Sequence, residues 1–276
     1  MKQPHTLVFD GYNMLHRARS GFKLGEFNVV FNFFRSIRSE IEKHDPTRVI
    51  FVLEGEPKRQ FVLDPEYKAN RRVEETDPKK IDSLNSFHKQ KKMIIDLLVT
   101  CFPLNLMQHS DFEGDDLIYN VVKRSTRAVP ITVVSSDTDF IQLLELENVK
   151  LYNPVQKKHI TAPSYPYVTW KALRGDGTDN IKGIKGVGDK TAEKYLNNVG
   201  LLEALLGDPE NKAQLERNVQ QIRFHDFTEE ETINVMTKVG KRDWDLAKNF
   251  FTACGFQSIV NDKSWTKFVD TFDPLF

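Results

Sequence analysis

Residues 111–140 read DFEGDDLIYNVVKRSTRAVPITVVSSDTDF, and their pattern sets the fold class. The run from Pro130 to Ser135 is apolar and β-branched enough for a buried parallel strand, and Asp137 and Asp139 stand just past its carboxyl end. In an open α/β sheet that end faces the ligand crevice. Upstream, Glu113, Asp115 and Asp116 open a helix predicted over Asp115 to Arg124, with Leu117, Ile118, Val121 and Val122 on its apolar face. Where the two ends meet, several carboxylates converge. Such a cluster repels itself unless cations occupy it, and its hard oxygens suit Mg²⁺ or Mn²⁺. Each acid alone reads equally well as a helix cap or a turn residue.

Working outward, the same pattern recurs. Thr6 to Phe9 is a predicted strand closed by Asp10-Gly11, and Arg48 to Leu53 a second, closed by Glu54-Gly55. Three apolar strands that each finish in an acid argue for a shared ionic site. Leu104 to Gln108 and Val149 to Asn153 read as further strands, and Lys157 to Ile160 as an edge or hairpin. Between the first two strands, Val29, Phe33, Ile37 and Ile41 recur every fourth residue in a helix predicted over Asn28 to His44, which Pro46 stops.

A chain of 276 residues can bury one large core or two moderate ones. Its two cysteines, Cys101 and Cys254, lack metal-ligand spacing and fit a reducing compartment. No stretch nears the roughly 18 apolar residues of a membrane span, so a soluble intracellular protein is expected. The 39 basic and 39 acidic residues balance, but the basic ones cluster. Arg17, Arg19 and Lys23 follow the first strand; Lys58, Arg59, Lys68, Arg71, Arg72 and a run of lysines fill a charged excursion at 56–92, expected to be a lid or arch; Lys182, Lys185 and Lys190 surround the turn Gly183, Gly186, Gly188. Such a turn before a helix start can cradle a phosphate, and no Walker lysine-serine pair accompanies it. Asp176 and Asp179, three apart, are additional candidate ligands. Beyond residue 200, helices are predicted over Leu201–Leu206, Glu210–Gln221, Thr228–Val239 and Asp243–Phe251. The terminal Phe272 and Phe276 read as core or as a docking tail.

Taken together, the strand-end acids, PEYKANRR at 65–72, GDGTDN at 175–180 and GIKGVG at 183–188 resemble the flap endonuclease or 5′ nuclease family over nearly the whole chain. The likeness is less specific beyond about residue 210. SSDTDF followed by NVKLYNPVQKKH resembles most the short bacteriophage members of the T4 ribonuclease H branch. The resemblance implies an α/β, PIN-like fold with a mainly parallel sheet flanked by helices. Residues 1–168 would form the nuclease domain, arch included, and 169–276 a smaller helical duplex-DNA-binding domain with a helix-three-turn-helix motif.

The resemblance also implies roles for named residues. Asp10, Glu54, Glu113 and Asp115 would hold one of two Mg²⁺ (or Mn²⁺) ions, and Asp137, Asp139, Asp176 and Asp179 the second, with Asp116 a further, outer ligand. Lys68 and Arg71 would orient the scissile phosphate. Tyr67 and Arg17 would face DNA, and Lys182, Gly183, Lys185, Gly186, Gly188 and Lys190 would grip duplex backbone, with K⁺ bound at that turn in some members. Glu54 stands where the family commonly has Asp, and Lys182 where bacterial relatives often have Pro; neither change removes the expected chemistry. The implied activity is metal-dependent cleavage of DNA near a 5′ flap junction, with 5′-3′ exonuclease action and RNA-primer removal. Implied partners are branched or nicked DNA, RNA-DNA primer junctions and a single-stranded-DNA-binding protein, for a monomer in the host cytoplasm if of phage origin. A PIN-like RNA nuclease and a non-catalytic junction-binding protein are the competing readings.

Overall fold

The computed structural model describes residues 2–22, 25–71, 76–125 and 128–275. Lys23, Arg72 and Phe276, assigned above to basic patches and a docking tail, lie outside the described residues. In chain order, β1 (Thr6–Asp10) leads to α1 (Gly11–Arg19) and α2 (Asn28–His44), and β2 (Arg48–Leu53) to α3 (Lys58–Leu63) and α4 (Pro78–Cys101). Next come β3 (Asn105–Gln108), α5 (Gly114–Arg124), β4 (Ile131–Val134), β5 (Val149–Asn153) and β6 (Lys158–Ile160). A helical part follows: α6 (Tyr167–Arg174), a hairpin of β7 (Gly175–Asp176) and β8 (Ile181–Lys182), α7 (Asp189–Leu196), α8 (Val199–Leu206), α9 (Pro209–Ile222) and α10 (Glu229–Ile233). The chain closes with β9 (Met236–Val239), α11 (Trp244–Ala253), α12 (Gln257–Val260) and α13 (Asp262–Phe272).

Seven strands form one sheet in the order β6-β5-β4-β1-β2-β3-β9, parallel from β5 to β3 and antiparallel at both edges. The register sets Phe9 beside both Phe51 and Val134, so the carboxyl ends of β1, β2 and β4 reach one edge together. Because side chains alternate across a strand, Leu7, Phe9, Val49, Phe51 and Leu53 enter one core while Val8, Ile50 and Val52 enter another on the opposite face. Helices α2 and α4 and the C-terminal Phe251, Phe268 and Phe272 fill the first; Leu117, Ile118 and Val122 of α5 fill the second. Helix α2 has no side-chain cap of its own; instead the amides of Val29 and Val30 donate to the buried Gln90 side chain of α4 at 2.9 and 3.3 Å.

The predicted helix over Thr228–Val239 is only half formed. A capping box between Thr228 and Glu231 starts α10, but the chain then turns into β9, antiparallel to β3. Backbone partners offered by an open sheet edge override the local helical pattern. A third core, around Tyr67, Val168, Leu173, Ile181, Leu215 and Ile222, belongs to α6 through α9. The helical unit expected over 169–276 is therefore divided, its last helices packing on the sheet. Within the charged excursion, Tyr67 is buried to 4% and docks into that third core, whereas the first half of α4 is mostly exposed. Among the described residues, no helix is long and apolar enough to cross a membrane.

A candidate metal centre at the sheet edge

Each acid reaches the edge by a local device. Asp10 ends β1 and caps α1: its Oδ1 accepts the Asn13 amide at 3.0 Å and its Oδ2 the Ser135 hydroxyl at 2.7 Å. Burial outweighs these bonds and pushes its carboxyl up to about 6. Glu54 follows β2 and accepts the Gly114 amide at 2.9 Å, tying β2 to the start of α5. Its carboxyl rises to about 7, first through burial and then through neighbouring acids. Gly55 beside it is needed for close approach, since a Cβ there would lie 1.8 Å from the His109 carbonyl oxygen. Asp115, in the first turn of α5, is held well above the carboxylate range by burial and by Asp137, Glu54, Asp10 and Glu113.

Cations and hydroxyls meet the remaining acids. Glu113 accepts from Lys68 Nζ at 2.5 Å and from the Tyr67 hydroxyl at 2.8 Å. Asp179 accepts from Arg71 at 2.6 Å. Asp137 receives the Asp139 amide at 2.9 Å, opening the short helical segment 138–145. Lys171, 3% exposed on α6, contacts Asp139 and lies 2.6 Å from Asp176. Burial opposes ionisation of Asp176, but Lys171 and Thr178 prevail and hold it at about 2. Asp139 stays at about 6, since burial outweighs Lys171 there.

These eight acids line one cavity of about 930 Å³, together with Lys68, Arg71, Lys171 and Arg174. One carboxylate oxygen from each of Asp139, Asp176 and Asp179 lies within 4.8 Å of the others, a spacing compatible with a divalent cation. The donor set is all oxygen, as Mg²⁺ and Mn²⁺ prefer.

Other residues singled out in the sequence lie elsewhere. Asp116 is turned away: its carboxylate accepts from the His225 amide at 2.7 Å and from Gln60 at 3.3 Å, so it anchors 223–227 to α5 and does not face the cavity. Arg17 lies outside the acidic cavity, with its guanidinium 3.4 Å from the Pro154 carbonyl. Lys182, Lys185 and Lys190 are exposed around the glycine turn, outside the acidic cavity, and Gly186 holds a φ of +81°. Tyr67 contributes its hydroxyl to the centre and its ring to the third core. Lys171 and Arg174 were not anticipated. The available signal was a lysine on the otherwise apolar face of α6, among Tyr167, Val168, Ala172 and Leu173.

The parallel sheet delivers these carboxylates, with lysine and arginine among them, to one open edge, an arrangement suited to holding divalent cations. The chain belongs to the 5′-3′ exonuclease family. Residues 5–169 match the model for its N-terminal resolvase-like domain, and residues 163–244 the model for its C-terminal SAM fold. These matches correct the fold class: the chain is α/β with a resolvase-like domain and a SAM fold, and the PIN-like fold does not stand. Strand-end acids mark the carboxyl edge of any parallel sheet; they do not distinguish one strand order from another.

The chain is 30% identical over 218 residues to the thermostable DNA polymerase I of Thermus filiformis, covering 73% of this chain and 24% of that one. It is 27% identical over 224 residues to a 5′-3′ exonuclease of Mycoplasmopsis pulmonis, covering 76% and 72%. The chain spans about a quarter of the length of the polymerases it matches. Among solved structures, the bacteriophage T5 D15 flap endonuclease in complex with DNA and metal ions superposes with a TM-score of 0.67 at 18% identity, covering 97% and 98%. Human GEN1 with Holliday junction DNA gives 0.57 at 16%, covering 94% and 72%. The similarity thus extends to the T5 D15 type, and nothing in it singles out the T4 ribonuclease H branch.

Proposed function

We propose that the protein is a metal-dependent, structure-specific 5′ nuclease that hydrolyses phosphodiester bonds near 5′ flap junctions of branched DNA. One observation carries this reading: eight carboxyl groups share a cavity with four lysine and arginine side chains, an excess of negative charge that favours bound divalent cations. Asp10, Glu54, Glu113 and Asp115 would hold one ion, and Asp137, Asp139, Asp176 and Asp179 a second. Ions held there would supply charge neutralisation at the scissile phosphate and a more acidic attacking water. Lys68 and Arg71, at the ends of their ion pairs with Glu113 and Asp179, are positioned to exchange those partners for phosphate oxygens.

In this reading residues 1–168 carry most of the chemistry, Asp176 and Asp179 complete it, and the helical segment around them holds duplex through Lys182, Lys185 and Lys190, phosphate contacts that position without reading sequence. A K⁺ ion at the 183–188 turn, 5′-3′ exonuclease action, RNA-primer removal and a single-stranded-DNA-binding partner belong to the same proposal. The test is cleavage of flap DNA, nicked duplex and single-stranded RNA, each with Mg²⁺ and with chelator. Asp137→Ala is expected to retain most DNA binding and to lose Mg²⁺-dependent cleavage. Undiminished cleavage at matched binding would overturn the assignment, and cleavage confined to RNA would transfer the activity to another substrate class.

A further inference from the structure

A second cavity, of about 430 Å³, shares no lining residue with the acidic one and carries the opposite charge. Its volume lies within the range of small-molecule sites. Arg17 reaches it from α1, Arg35, Lys43 and Glu40 from α2, and Lys157 from the turn between β5 and β6. Four cations thus face one carboxylate. Among the described residues no acid forms a salt bridge with Arg35, Lys43 or Lys157; Lys43 instead bonds the Tyr152 hydroxyl and lies 3.8 Å over its ring. Phe22 at the rim is 65% exposed, with the Arg35 guanidinium stacked 5.4 Å from its ring centre. Glu40 is 9% exposed, and its buried Oε2 has no hydrogen-bond partner and faces the His44 ring nitrogen Nε2 at 3.6 Å.

We propose that this cavity is a nucleotide-binding site separate from the acidic centre, taking a phosphate-bearing nucleotide either free or as the end of a strand. The guanidinium and ammonium groups match phosphate oxygens, which arginine binds in bidentate fashion. Phe22 and Arg35 offer a flat face on which a base can stack. The hydroxyls of Ser36 and Ser39, which line the same cavity, supply acceptors suited to a sugar hydroxyl or an exocyclic amine. An acidic peptide would satisfy the cations but leave the stacking face of Phe22 and Arg35 unused. The site rests on its own residues and stands whether or not the acidic centre is a nuclease.

The experiment is calorimetric titration of the full chain in chelator with dAMP, with a short 5′-phosphorylated single strand, and with inorganic phosphate as baseline. Arg35→Glu/Lys157→Glu, both at exposed positions, is expected to weaken nucleotide binding by at least ~10-fold with an unchanged melting temperature, as loss of charged hydrogen bonds requires. Lys263→Glu/Lys267→Glu, a charge-matched pair exposed on α13 outside both cavities, is expected to change it by less than ~2-fold, since distant sites act independently. Equal affinity for dAMP and the strand assigns the site to free nucleotide; affinity for the strand alone assigns it to a strand end. Binding no tighter than inorganic phosphate, unchanged affinity in Arg35→Glu/Lys157→Glu, or an equal loss in Lys263→Glu/Lys267→Glu would each overturn the proposal.

Discussion

Lys171 reaches the acidic centre from α6 and contacts both Asp139 and Asp176, so a protein cation already stands among the acids that are expected to hold a metal. Removing one partner of a buried ion pair leaves the other charge uncompensated, at a cost of about 3–5 kcal/mol. Lys171→Met is therefore expected to lose stability on that scale in chelator, read by urea unfolding, and to recover more of it on adding Mg²⁺ than the parent does. A loss that Mg²⁺ leaves untouched would make Lys171 a packing residue only.

The raised carboxyls of Asp10, Glu54 and Asp139, at about 6, 7 and 6 against 3.8, 4.5 and 3.8 unfolded, make a second test at this scale. Within that interval the folded state binds more protons than the unfolded one, so stability falls as pH rises. His5, His16 and His159, each lowered below the ordinary imidazole value first by partial desolvation, titrate in the opposite sense below 6.5. The clean window is thus about pH 6.5 to 8, where Glu54, at about 7, dominates. The metal-free protein is expected to melt at a higher temperature near pH 6.5 than near pH 8, and Mg²⁺ to stabilise it more at pH 8. A flat profile would sink the burial argument.

Among the elements, strand ends are legible because each is a local pattern: an apolar β-branched run followed by an acid and often a glycine. Asp10-Gly11 and Glu54-Gly55 could be placed at the sheet edge from sequence for that reason. The close approach behind Gly55 could not, since it depends on the carbonyls of His109 and Phe112, more than fifty residues away. Gly55→Ala must displace one backbone or the other, and overpacking of this kind costs about 1–3 kcal/mol. It is expected to reduce cleavage further than stability alone explains, because Glu54 moves with it; full activity in a folded Gly55→Ala protein would contradict this. Strand β9 was illegible for a related reason. Its residues carry no helix-breaking signal until Gly240, and only the open edge of β3 turns them into a strand.

On the scale of the whole molecule, the C-terminal helices share the core of the sheet. Phe272 is fully buried, with ring centres 4.9 Å from Phe102 and 5.0 Å from Phe268. Phe272→Ala is expected to cost about 3–5 kcal/mol in a single cooperative transition; a shift below about 1 kcal/mol would show that these helices do not stabilise the sheet. By itself the sequence determined the α/β class and the strand-end and helix-start acids, because strand ends and helix starts are written in residues close along the chain. Tertiary structure alone decided the inclusion of Lys171, the turning away of Asp116 towards His225, and the division of the C-terminal segment among three cores. Each of these depends on groups brought together from distant parts of the chain or from separate elements, and only packing selects which of the possible partners a side chain meets.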